Sequence, residues 1–284
     1  MTEDDNDAVL ALVGRFLCSD PRGLSPEDVR DVSASCGVTE EYAASALLAA
    51  ACGLDTALAP DARLFRRYFL PMVRKVDPAL CLDDPFTRAV RLKPAREGRV
   101  ALRTDAFSPM EMFVRDDFDF LPDGRVFPRL GWFDRAVPYP VLEEDGTPWM
   151  TVTPNEINTI RPIAASCAGR VLTMGLGLGY FAFHACENPA VTSVTAVERS
   201  AEVIALFRRS VLPFFPHGEK LRIVQADAFA YAAQEAQAAS YDVIFTDLWH
   251  DVSDGLPLYR RMKALEFPGP RWLYWIEPTL RAYL

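Results

Sequence analysis

The residues with the clearest chemical potential lie in the second half of the chain. Residues 170–182 read RVLTMGLGLGYFA, an apolar run that breaks into Gly175, Gly177 and Gly179 and then turns aromatic. Glycines let a ligand approach the backbone closely, and the helix that follows offers free N–H groups. Glu198 stands nineteen residues after Gly179, at the end of the apolar run VTSVTAVE. A carboxylate there can accept two hydrogen bonds from a ribose diol. Asp227 closes RIVQAD, with Ala228 beside it, and is placed to accept from an adenine amine. Asp247 closes YDVIFTD and faces the reacting end.

This pattern argues against the commoner nucleotides. The dinucleotide fingerprint requires Gly or Ala at position 180, where this chain has Tyr180, and no GxxxxGK[ST] phosphate cradle occurs. Three acidic strand ends beside a glycine turn suit an adenosine ligand with a cationic tail and suit a polyphosphate poorly. Asp247 is the candidate base or acceptor-orienting group. The stretch DLWHDVSDG adds Trp249, able to stack on a cation, and His250, a residue type suited to proton transfer. Tyr180 is a candidate for the substrate side of the pocket. Each position also has a structural use: Asp227 as a helix cap, Glu198 at the start of SAEVIALFRR, Trp249 and Tyr180 as packing, His250 as a solvated loop residue. No set of residues has metal-ligand spacing, and none is expected to bind a metal.

These residues need strands and helices in strict alternation to bring them together. From about residue 153 the chain supplies them. Strand patterns fall near 170–174, 192–197, 221–225, 241–246 and 271–276, and helical patterns near 179–187, 201–212, 228–237 and 256–265. Such alternation implies βαβ units and a parallel sheet, with ligands at the carboxyl ends of the strands. The fold class is therefore α/β, a Rossmann-like core over residues 153–284. Residues 1–92 are helical in pattern: Ser25-Pro26-Glu27-Asp28 opens a helix, Gly37 breaks it, and Thr39-Glu40-Glu41 opens another. That second helix carries no Lys or Arg, which suits a helical bundle better than a DNA groove. Residues 93–152 form short β-type runs punctuated by Pro122-Asp123-Gly124 and Glu144-Asp145-Gly146, a small antiparallel segment.

Bulk properties restrict the partners. Of 284 residues, 24% are charged and the net charge is −9, which disfavours a surface built for nucleic acid. No apolar run is long enough to span a bilayer, and the acidic start MTEDDNDAV is unlike a signal peptide. Six widely spaced cysteines with no CxxC fit a reduced, cytoplasmic setting. A small-molecule acceptor is the expected partner, and the helical N-terminal region is a candidate surface for a homodimer.

As an ordered set, the motifs of residues 170–276 resemble the class I S-adenosylmethionine-dependent methyltransferases, and within them the spermidine synthase-like branch. Upstream, LEEDGTPWMTVTPNEINTIRPI, with Asp145-Gly146 and Glu156, is similar to the strand and linker that precede the core in that branch. The resemblance implies S-adenosyl-L-methionine as cofactor, bound by Gly175, Gly177, Gly179, Glu198, Asp227, Ala228 and Asp247. Asp247 and His250 would serve catalysis, with Trp249 and Tyr180 on the substrate side. Aminopropyl transfer is the alternative, against which stands Leu178, where that branch carries an aspartate. A non-catalytic nucleoside-binding or regulatory protein is the second alternative. The family's later strands are not apparent after RWLYWIEPTL, so the sheet is expected to end early or to borrow strands from residues 93–150.

Overall fold

A computed structural model of the chain describes residues 2–237 and 239–284. Seven strands come first: β1 (Val73–Lys75), β2 (Ala95–Glu97), β3 (Val100–Phe107), β4 (Phe113–Phe120), β5 (Val126–Trp132), β6 (Val137–Glu144) and β7 (Thr147–Thr151). Five follow: β8 (Gly169–Met174), β9 (Val191–Glu198), β10 (Leu221–Gln225), β11 (Val243–Thr246) and β12 (Arg271–Tyr274). They belong to two compact units, one of Met1–Leu80 with Ala106–Pro138, the other of Cys81–Asp105 with Tyr139–Leu284. The segment 93–152 is thus shared between the two.

The first unit is helical with a small sheet of order β1-β5-β4. Ser25 caps the helix Pro26–Cys36 by accepting from the Asp28 N–H, and Gly37 ends it at φ 65°. Thr39 caps Glu40–Ala51 in the same way, through the Tyr42 N–H. Both boundaries are written in the local residue types, because short oxygen-bearing side chains satisfy first-turn amides that have no other partner. The core joins Val9, Val13, Leu48, Tyr68, Phe69, Leu130 and Trp132. Two features are invisible to periodicity. β1 pairs parallel with β5 across a long sequence separation, and Phe65–Phe69 forms a π-helical turn.

The second unit carries the parallel sheet, in the order β10-β9-β8-β11-β12. Renumbered within the sheet this is 3-2-1-4-5, which reproduces the first five positions of the Rossmann order and places the switch point at β8. The strands are apolar on both faces: Val171, Leu172, Val194, Ala196, Ile244 and Phe245 are all buried. Such runs fit a sheet covered by helices on either side. Residues 95–151 do not extend this sheet. β2, β3, β6 and β7 form a separate four-stranded sheet, so the parallel sheet ends at five strands among the described residues. The β6–β7 hairpin turns on Asp145 and Gly146, at φ 51° and 81°, the paired positive values of a tight hairpin turn. Arg99 anchors the β2–β3 hairpin through Glu144 at 2.7 Å, and Arg209 in the helix Ala201–Ser210 bonds Glu97 at 2.7 Å. No helix among the described residues is long and apolar enough to cross a membrane.

Candidate functional site

The carboxyl ends of β8, β9, β10 and β11 are held level by backbone bonds that continue past the strands. Gly175 donates to the Val197 carbonyl at 2.9 Å, Ala226 to Glu198 at 3.1 Å, and Asp247 to Met174 at 3.0 Å. These bonds pin the glycine turn and the three acidic strand ends around one cavity of about 210 Å³. Gly175, Gly177, Glu198, Asp227, Ala228, Asp247 and Trp249 all line it. Most of the sequence-predicted set is therefore brought together.

Two of the glycines have steric reasons that the sequence conceals. At Gly175, φ is 101° and an added Cβ would overlap the Asp247 carbonyl oxygen. At Gly177, φ is 50° and a Cβ would overlap the Met150 sulfur. Gly179 begins the helix Tyr180–Glu187 and lies against Phe207 and Phe215, away from the cavity lining.

Glu198 is oriented by accepting the Ser200 N–H at 2.9 Å and the Leu176 N–H at 3.3 Å. Asp227 combines both of its sequence-derived uses. It caps the helix Ala228–Gln234 through the Ala230 N–H at 2.9 Å, and it faces the cavity. Asp247 is deep in the site, and burial, helped by the nearby negative charge of Glu156, pushes its carboxyl up to about 8. Glu156 is itself raised by burial. It accepts from the Thr153 N–H and from Thr151 Oγ1, both at 3.0 Å, as part of the capping box of the helix Pro154–Ala165. The negative charge of Glu156 thus adds to burial in disfavouring the ionised form of Asp247.

Trp249 is buried, edge-on to Tyr259 at 6.5 Å, and among the described residues its Nε1 has no hydrogen-bond partner. His250 stands outside the cavity lining, exposed, with Nδ1 2.9 Å from Asp254. Its ring meets Trp149 edge-on at 4.0 Å, and Arg199 lies over the same indole at 5.9 Å. Tyr180 is fully buried away from the cavity, where its hydroxyl donates to Asp84 at 2.9 Å. Asp84 also receives the Phe86 N–H at 2.9 Å and lies 3.5 Å from Arg161, so Tyr180 fastens residues 84–86 to its helix. Burial depresses His184, beside this group, to about 4, and among the described residues its Nε2 has no hydrogen-bond partner.

Sequence reasoning did not assign Met150, Glu143, Glu144, Arg199 or Phe229 to the site, and all five line the cavity. Three of them sit on β6 and β7, in a sheet whose position over the core no local pattern encodes. Arg199 and Phe229 adjoin Glu198 and Ala228, and proximity to those residues was the available signal. Among the described residues no cluster of His, Cys, Asp and Glu could hold a metal ion.

No family model and no curated protein matches the chain. Among solved structures it is similar to spermidine synthase from Thermotoga maritima, at 16% identity and a TM-score of 0.34, over 60% of this chain and 52% of that one. It is similar to precorrin 8w decarboxylase from Methanobacterium thermoautotrophicum, at 18% and 0.30, over 40% and 60%. The precorrin-6y C5,15-methyltransferase of Geobacter metallireducens aligns at 17% and 0.26, over 34% and 48%. Each match spans less than two thirds of the other chain. The strand order, with its switch point at β8, is what defines the fold of the core.

Proposed function

We propose that the second unit is an S-adenosylmethionine-dependent methyltransferase acting on a small molecule. The observation that carries this reading is the convergence of Glu198, Asp227 and Asp247 on one cavity beside the glycine turn. Six acidic side chains line that cavity (Glu143, Glu144, Glu198, Asp227, Asp247 and Asp254); Arg103 and Arg99 pair with Glu143 and Glu144, and Arg199 is the one cation in the lining. That balance favours a cationic ligand and opposes a polyphosphate. The residues fit an adenosyl sulfonium: Glu198 for the ribose diol, Asp227 for the adenine edge, and Phe229 with Leu258 for its apolar surface.

When bound, the sulfonium would supply an electrophilic methyl group. The protein's part is to align the acceptor for in-line attack and to take its proton. Asp247 is suited to that transfer once ionised, and a sulfonium bound beside it would favour the ionised form. Trp249 presents an apolar wall beside it, and His250 with Trp149 stands at the rim.

Titration of the purified protein with S-adenosylmethionine and S-adenosylhomocysteine tests the reading. Saturable binding that Glu198→Ala weakens at least tenfold is expected. Absence of binding at millimolar ligand, with wild type and variant alike, would sink it. Aminopropyl transfer is a second reading favoured by the same excess of carboxylates, and a preference for the decarboxylated sulfonium would select it.

A further inference from the structure

The side chain of Met150 occupies a place that a ligand would be expected to use. Its Sδ accepts the backbone N–H of Leu178 at 3.0 Å, and it sits directly over Gly177. Backbone N–H groups of a glycine turn ahead of a helix are good donors for an anionic ligand group. A thioether sulfur is a weak acceptor. The strongest class of partner for this donor, a carboxylate, is absent from it even though six carboxylates line the cavity.

The strand that delivers Met150 is built irregularly at this point. In the β6–β7 ladder Leu142 pairs with Met150 and Glu143 with Pro148, so Trp149 is an extra residue in a bulge. Bulges beside functional sites redirect side chains. Trp149 takes the exposed rim, against His250 and Arg199, and Met150 contributes to the cavity wall. The remaining volume of about 210 Å³ is below the roughly 300–1,000 Å³ usual for a small-molecule site. Methionine is unbranched and adaptable, a side chain that leaves a packed position at low cost.

From these observations we infer that Met150 is a specificity-determining gate, competing with the amino-acid carboxylate of an adenosyl ligand for the Leu178 N–H. The inference rests on the nucleoside-binding reading above. Ligands that end at the thioether fit beneath the gate, whereas those that carry a carboxylate tail must first displace the Met150 side chain. A closed gate reduces apparent affinity by the fraction of molecules in which it is open.

The test pairs two probes, 5′-methylthioadenosine without the tail and S-adenosylhomocysteine with it, in isothermal titrations of wild type, Met150→Ala and Met150→Leu. Met150→Ala is expected to tighten S-adenosylhomocysteine about tenfold and to change 5′-methylthioadenosine less than about threefold. Met150→Leu keeps bulk over Gly177 but removes the sulfur acceptor, so its affinity for S-adenosylhomocysteine should fall between those of wild type and Met150→Ala. The methyl resonance of Met150, assigned by its loss in Met150→Leu, should move with S-adenosylhomocysteine and stay in place with 5′-methylthioadenosine. An unchanged ratio of the two affinities in Met150→Ala, or a resonance that responds alike to both probes, overturns the gate and leaves nucleoside binding standing. Failure of both probes to bind any of the proteins overturns the nucleoside reading together with the gate.

Discussion

Asp247 lies in an environment far from what its residue type implies. An exposed aspartate titrates near 4, and here burial, with Glu156 nearby, brings the carboxyl to about 8. The folded state therefore holds this proton over a range where the unfolded chain has released it. The associated stability is fully present below the unfolded value and is lost as pH rises through about 8. A bound sulfonium reverses the preference, because it favours the ionised form. Affinity for S-adenosylmethionine should rise between pH 6 and 8 by up to about tenfold per unit, then level off. S-adenosylhomocysteine lacks the sulfonium charge and should show a flat profile, as should either ligand with Asp247→Asn. Calorimetric titration at four pH values reads this directly, and equal slopes for the two ligands would remove Asp247 from contact with the cation. The same variant should lose less thermal stability than wild type between pH 6 and 9.

The glycine turn shows how an element can be legible while its reasons are not. Alternating glycines between an apolar run and an aromatic helix pointed to a nucleotide turn, and Gly175 and Gly177 do line the cavity. Their partners come from distant segments: the Asp247 carbonyl for Gly175 and the Met150 side chain for Gly177. A carbonyl in a paired strand end cannot yield, whereas a methionine side chain can swing aside. Gly175→Ala should therefore cost several kcal/mol, on the order of 3 or more, and Gly177→Ala about 1–2 kcal/mol, mostly from its positive φ. Adding Met150→Ala should recover part of the Gly177→Ala loss and none of the Gly175→Ala loss, a coupling that urea unfolding of the single and double variants measures. Equal costs at the two glycines, or full additivity with Met150→Ala, would contradict this account. Legibility elsewhere follows the same division. The five parallel strands, the helices between them, and the caps at Ser25, Thr39 and Asp227 depend on residues adjacent in sequence, and they were readable. Tyr180 follows the glycines, which makes it a pocket candidate from sequence, yet its hydroxyl belongs to Asp84, ninety-six positions away. Met150 and the pairing of β1 with β5 are set by tertiary contact, and no local periodicity carries that information.

At the scale of the whole molecule, every residue lining the cavity lies in the second unit, which enters the chain in two pieces, Cys81–Asp105 and Tyr139–Leu284. β3 and β6, neighbours in the four-stranded sheet, connect those pieces to the intervening segment Ala106–Pro138. The second unit has its own buried core, through Val171, Leu172, Val194, Phe207, Ile244 and Phe245. At roughly 170 residues it is large enough to bury about two thirds of its unfolded surface, sufficient for independent folding. A shortened chain that begins at Cys81 and replaces residues 106–138 with a short glycine-containing turn should fold cooperatively. It should bind S-adenosylhomocysteine within about threefold of the full chain, since no residue that touches the cavity is removed. Circular dichroism during thermal unfolding and calorimetric titration are the two readings. A folded fragment that has lost binding would mean that the first unit supplies part of the site. A fragment that does not fold, while the full chain does, would show that the hydrophobic core of the parallel sheet needs the first unit to form.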